Sequence, residues 1–307
     1  VEPRPPAAGL NPDTMNPCLS MIRICQITLI LACSLCAHAG SPPPLRIVTS
    51  FYPVYITTLN ITEGVPGVAL SSMAPPFAGC LHDYQFKPAD LKMVAQADVF
   101  VVNGLGSEPF LEKVIRQKPG LKVIDASLRL TAIKDGRGQV NPHVWVSVSN
   151  VIVQCRTIAD GLAASDPGHA AQYASNADRY IARLAGLRAE LADDMQKITR
   201  RDIVTFHEAF AYFAQAYDLR VRAVIEREPG SEPNAREMAD IIRLMRKTGI
   251  TTIFVEPQYP SHCAEVIARE TKAVILTLDP AVTGPVKGDA YLDIMRANGA
   301  VLRRALQ

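Results

Sequence analysis

The chain has 307 residues, with 32 Lys and Arg against 30 Asp and Glu, 48% hydrophobic and 6% aromatic residues and one Trp. That balance excludes a disordered chain or a long coiled coil, and a net charge of +2 without a Lys/Arg run argues against nucleic acid as a partner. The length fits two domains, each large enough to bury apolar side chains without disulfide staples.

Residues 1–39 read as an upstream extension and a signal peptide. Met21-Ile22-Arg23 gives a start and a positive region, Ile24 to Cys36 an uncharged apolar run, and Ala37-His38-Ala39 before Gly40 a small-x-small cleavage site. Residues 1–20 lie upstream of that start and read as an over-extended gene start. The apolar run is shorter than the roughly 20 residues that span a bilayer. Export to the periplasm is the expectation, with a lipid anchor at Cys33 as the alternative. Cys18, Cys25, Cys33 and Cys36 belong to the leader; Cys80, Cys155 and Cys263 remain, enough for one disulfide at most, and spacing does not choose a pair.

After Pro42-Pro43-Pro44 the pattern alternates between β-rich and helical runs. Strands are expected at Leu45 to Thr49, Gly67 to Ser72, Asp98 to Asn103 and Leu121 to Ala126, and again at Asp202 to Phe206, Val221 to Ile225, Thr251 to Val255 and Lys272 to Thr277. The two sets repeat: the first and third strands are spaced 52 residues apart (Ile47 to Val99) in one and 50 (Ile203 to Ile253) in the other. Two similar α/β lobes with parallel sheets follow. Between them, His169 to Ile198 has no Pro and places Tyr173, Ala177, Tyr180, Ile181, Leu184, Leu187 and Leu191 at helical spacing. Asp166 is expected to cap this helix and Pro167 to occupy its first turn. Its length, about 45 Å at 1.5 Å per residue, suits one rigid connection in place of a flexible hinge. The expected organisation is therefore 40–165 for the N-terminal lobe, 166–200 for the linker helix and 201–307 for the C-terminal lobe.

Four candidate donors follow strands or the lobe junction. His82 comes after the second strand through Ala74-Pro75-Pro76-Phe77-Ala78-Gly79-Cys80, and His143 after the fourth, in Asn141-Pro142-His143-Val144-Trp145. His207 follows Ile203-Val204-Thr205-Phe206, and Asp279 follows Val274-Ile275-Leu276-Thr277. Ligands of open α/β sheets bind outside the carboxyl ends of the strands, so these four can converge across an interlobe cleft. Three imidazoles and a carboxylate suit tetrahedral Zn2+. His169 is expected to be solvated, Trp145 to pack beside His143, and His262-Cys263 to be structural, since adjacent helical residues point apart.

The phrases His82-Asp83-Tyr84-Gln85-Phe86-Lys87-Pro88-Ala89-Asp90-Leu91, Ala97-Asp98-Val99-Phe100-Val101-Val102-Asn103-Gly104, Asn141-Pro142-His143-Val144-Trp145, Thr205-Phe206-His207-Glu208-Ala209-Phe210 and Phe254-Val255-Glu256-Pro257-Gln258 resemble the zinc/manganese solute-binding proteins of metal ABC importers. The resemblance runs in order through residues 45 to 307. It implies two Rossmann-like lobes joined by one long backbone helix, a metal in the interlobe cleft, and delivery to a membrane permease by a monomer. Carried over by motif, the ligands are His82, His143, His207 and Asp279. His at the third position resembles the zinc branch, since manganese binders of the family usually place Glu there; Mn2+ is the alternative ion. Leu81 stands where the family usually has Pro, and no His/Asp/Glu-rich loop follows His82.

The competing readings are a manganese- or iron-binding homologue, a surface metal-binding adhesin and, further off, a secreted metallohydrolase using Glu208. A His-Glu-x-x-His helix would need His at 211, where this chain has Ala211. The Asn103-Gly104-Leu105-Gly106-Ser107 run lacks the third glycine of a dinucleotide fingerprint, with Pro109 in its place. No catalytic role is expected.

Overall fold

The computed structural model describes residues 1–4, 43–81, 84–134, 138–226 and 232–307. The leader, with its cleavage site and Cys33, lies outside the described residues apart from 1–4, as does His82. Pro44–Gln307 forms one compact unit.

Four strands, β1 (Leu45–Thr49), β2 (Val68–Ser72), β3 (Val99–Val102) and β4 (Lys122–Asp125), make a parallel sheet in the order β2-β1-β3-β4. The second set, β5 (Asp202–Thr205), β6 (Arg220–Val224), β7 (Thr252–Val255) and β8 (Val274–Thr277), repeats it as β6-β5-β7-β8. The eight expected strands all form, most of them trimmed by a residue or two. Strand β3 reads Val-Phe-Val-Val and β7 Thr-Ile-Phe-Val, and every residue of both is buried. Continuous burial of this kind is what helices on both faces of a parallel sheet impose. In each sheet the chain reverses its direction of build between the first and third strands, which opens a crevice at their carboxyl ends.

The first sheet carries α1 (Tyr52–Thr62), α2 (Pro88–Gln96) and α3 (Leu111–Gln117). Two helices then run between the sheets, α4 (Val148–Ser165) and α5 (Ala170–Gln196). The latter has 27 residues, about 40 Å at 1.5 Å per residue, and buries Tyr173, Ala177, Tyr180, Leu184, Leu187, Leu191 and Met195. The expected capping by Asp166 is not found. A 3-10 turn, Pro167–His169, precedes the helix, and the Asp166 carboxylate instead accepts from the Tyr173 hydroxyl (2.9 Å) and pairs with His169 Nδ1 (2.7 Å). His169 is accordingly half-buried against Asp166 and not simply solvated.

The second lobe adds α6 (Ala211–Ala216), α7 (Ala235–Thr248), α8 (His262–Thr271) and α9 (Ala290–Leu306). Helix α9 packs on α5, where a side chain at Gly299 would come within 2.4 Å of Leu191 Cδ2. One apolar cluster therefore runs from β1 through α4 and α5 to α6 and α9, and a smaller one lies within the second lobe. Both sheets thus lean on one shared core as well as on the long helix. At the start of α8, His262 is exposed and Cys263 buried, as adjacent helical positions require. Cys80, Cys155 and Cys263 are each buried, and no disulfide joins any two of them.

The turn after β3 is set by a buried carboxylate. Glu108 accepts from Asn103 N–H (2.7 Å) and Gly104 N–H (3.1 Å). Asn103 Nδ2 in turn donates to Pro142 O at 2.9 Å, so this turn supports the segment leading into His143. Gly104 has φ +83, and a side chain there would fall 2.0 Å from Asp125 Oδ1. Burial pushes the Glu108 carboxyl up to about 7 against the opposing pull of its hydrogen bonds. A carboxyl raised in the folded state binds more protons than in the unfolded chain, so this group should lower stability as pH rises from about 4.5 to 7. Glu108→Gln should remove that slope and, by replacing an acceptor with an amide donor, cost about 1–3 kcal/mol in urea unfolding.

Candidate metal centre

The loops leaving the strand ends bring three soft or borderline donors together. Ligand atoms of Cys80, His143 and His207 all lie within 4.8 Å of one another, and all three residues are buried. Cys80 is delivered by the loop after β2, His143 by the long segment after β4, and His207 by the turn directly after β5. The two imidazoles sit edge-to-face with ring centroids 4.9 Å apart.

Each ring faces an oxygen at Nδ1. For His143 that oxygen is Asn141 Oδ1 at 2.9 Å, which also accepts from His143 N–H at 2.9 Å. The proton is thereby assigned to Nδ1 and the lone pair to Nε2, the arrangement metal-binding histidines adopt. His207 Nδ1 is 3.5 Å from Glu256 Oε1, in the residue that directly follows β7. Trp145 packs beside His143, ring centroids 5.3 Å apart, as expected.

Asn141 also joins the lobes. Its Nδ2 donates to Glu208 O at 2.8 Å, next to His207, and its carbonyl accepts from the Tyr212 hydroxyl at 2.7 Å. The same hydroxyl accepts from Ile133 N–H at 2.9 Å. Trp145 Nε1 donates to Pro280 O (2.8 Å) and the Tyr52 hydroxyl to Pro285 O (2.9 Å), which ties the segment after β8 to the first lobe.

Of the residues expected from sequence, His143 and His207 meet in the cluster and His82 lies outside the described residues. Asp279 sits at the predicted strand end but is not part of the cluster. Its Oδ1 accepts from Ala281 N–H (2.8 Å) and Gln258 Nε2 (3.2 Å), which anchors the loop. Burial raises the Asp279 carboxyl, opposed by those two donors. Burial also raises Glu256, with His207 opposing and Asp279 adding to the rise. A Glu256 carboxyl held away from water beside His207, with Asp279 adding negative charge nearby, makes a place where a cation, not an anion, is stabilised. Cys80, Asn141 and Glu256 were not singled out from sequence. The signals were there in their spacing: Cys80 two residues before His82, Asn141 two before His143, and Glu256 at a strand end of the second sheet.

His207 and Glu208 lie in a turn before α6 and not on a helix, so they cannot present a helical zinc-protease pair.

The family described as "Zinc-uptake complex component A periplasmic" matches residues 47–305. A high-affinity zinc uptake system protein ZnuA from Bacillus subtilis is 27% identical over 94% of this chain and 97% of its own length. A manganese-binding lipoprotein MntA from Halalkalibacterium halodurans is 26% identical over 83% of this chain and 86% of its own. Among solved structures, a crystal structure of ZnuA superposes with a TM-score of 0.76 at 32% identity, covering 85% of this chain and 99% of the other.

Removing the Asn141 carboxamide should release the His143 ring and loosen the Glu208 backbone together. Asn141→Ala is expected to weaken divalent-metal binding by roughly 10–100-fold, the usual cost of losing an outer-shell partner, measured by titration calorimetry.

Proposed function

Because the chain belongs to the family of the periplasmic zinc-uptake complex component A, we propose that it captures Zn2+ outside the cytoplasm and delivers it to the permease of a metal ABC importer. The observation that carries this reading is the pair of buried imidazoles, one from each lobe, each with Nδ1 facing an oxygen. The proposed donor set is His82, His143 and His207 with Asp279. Zinc is favoured over manganese because the donor after β5 is His207, and imidazole suits zinc better than a harder carboxylate does. The ion is cargo, so a site closed by protein donors on all sides serves capture, whereas a catalytic zinc keeps a position open for water.

The proposed units are 40–165 and 201–307 as lobes and 166–200 as the joining helix, exported by the signal at 1–39 and acting as a monomer. No helix among the described residues is long and apolar enough to cross a membrane; the proposed permease is a separate partner. Nothing in the charge distribution favours nucleic acid as one.

Titration calorimetry tests the reading. The wild-type chain should bind one Zn2+, and His143→Ala and His207→Ala should each weaken it by more than tenfold while both variants stay folded; unchanged binding in both would sink the assignment. Bound zinc should also raise the melting temperature by mass action.

Ion choice has its own check. His207→Glu should weaken zinc and narrow its advantage over manganese, because a carboxylate oxygen replaces the nitrogen, whereas His207→Ala should weaken both ions. Competition titrations on the two variants measure this directly.

A further inference from the structure

We propose that Cys80 is a ligand of the captured ion, so that the site binds through a thiolate as well as imidazoles and favours borderline and soft ions over manganese. The inference rests on the capture reading and revises its donor set.

The motivating observation is the cluster itself. Cys80 is fully buried and its sulfur lies within 4.8 Å of ligand atoms of both His143 and His207, an arrangement Asp279 does not share. A tetrahedral zinc with Zn–S near 2.3 Å and Zn–N near 2.0–2.1 Å holds its donors roughly 3.5 Å apart. Contraction of about 1 Å, within the range of side-chain rotation and loop movement, would seat an ion between the three. Gly79, at φ +79, makes the left-handed turn that leads into Cys80, and a side chain there would lie 3.7 Å from the Tyr259 hydroxyl of the second lobe. The loop is therefore seated against the opposite lobe at the point where the sulfur meets the imidazoles.

The donor count then decides the role of Asp279. His82, His143, His207, Asp279 and Cys80 together exceed the four positions of a tetrahedral ion. Among the described residues the sulfur, and not Asp279, lies in the cluster with the two imidazoles, so the sulfur takes the corner assigned to Asp279, whose Oδ1 is held by Ala281 N–H and Gln258 Nε2 and which contributes charge. Binding exchanges one bond for another: the S–H bond of Cys80 breaks, an S–Zn bond forms and the proton passes to solvent. Thiolate is a poor ligand for Mn2+ and a strong one for zinc and softer ions.

Cobalt makes the sulfur visible, because a thiolate bound to Co2+ gives a charge-transfer band in the near ultraviolet. Titration of the full chain with Co2+ should produce that band at one equivalent. Cys80→Ser and Cys80→Ala should lose it and bind zinc roughly tenfold or more weakly, with a lower zinc-to-manganese preference, while Cys263→Ser keeps the band. The serine variant is nearly isosteric, and circular dichroism with metal-induced melting shifts reports whether each variant is folded. A wild-type chain that binds one Co2+ without the band, or Cys80→Ser with unchanged zinc affinity, would overturn the Cys80 assignment and leave the capture reading standing. Failure of the wild-type chain to bind either Co2+ or Zn2+ would overturn both.

Discussion

The Asn141 carboxamide is the interaction on which the site depends. One oxygen holds the His143 ring and backbone, and the amide nitrogen reaches across to the Glu208 carbonyl beside His207. A single planar group thus sets the tautomer of one imidazole and the position of the strand end bearing the other. Asn141 and His143 are both buried, so their contacts do not compete with water, and losing them would leave a buried polar atom unsatisfied at a cost of about 1–3 kcal/mol. Glu256 plays the matching part for His207 from the second lobe alone, at the longer distance of 3.5 Å.

Such short-range precision needs lobes that do not drift. The repeat supplies two sheets of the same order, but sheets alone would not hold their carboxyl ends face to face. That is done by α5 and α9, packed closely enough at Gly299 and Leu191 to exclude a methyl group, and by the apolar cluster continuous from β1 to α9. Arg296 with Glu190 (2.7 Å) and Arg303 with Asp194 (3.2 Å) add ion pairs along the same contact. They are half-exposed and each contributes little, typically under 1 kcal/mol; packing carries the register of the two helices.

The fold was legible in the sequence because it rests on periodicity. Alternating β-rich runs gave eight strands, the matching intervals gave two lobes, and the apolar spacing from Tyr173 to Leu191 gave the buried face of α5. What periodicity does not encode was missed. Asp166 has the chemistry of a helix cap, yet a 3-10 turn intervenes and its carboxylate goes to His169 and Tyr173. The sharing of one core by both lobes depends on where α9 packs, which no local pattern reveals. In the site, His143 and His207 were readable because they follow strands. Cys80 was counted as a possible disulfide partner, and the loop that carries it to the imidazoles takes its path from Gly79 and from contacts 180 residues away at Tyr259.

The balance between holding and releasing an ion follows from how the lobes are joined around the centre. His143 and His207 are 3% and 1% exposed, so an ion bound between them cannot leave by simple dissociation into water. The polar contacts that close the cleft, from Asn141 to Glu208, Trp145 to Pro280 and Tyr52 to Pro285, are neutral hydrogen bonds, each worth about 0.5–1.5 kcal/mol net. A metal bound with nanomolar affinity is worth about 12 kcal/mol and draws donors from both sides. Closure is therefore governed more by the ion than by the contacts around it. Once the ion's bonds to one lobe are broken, what remains across the cleft mouth is a few weak bonds on a rigid helical frame.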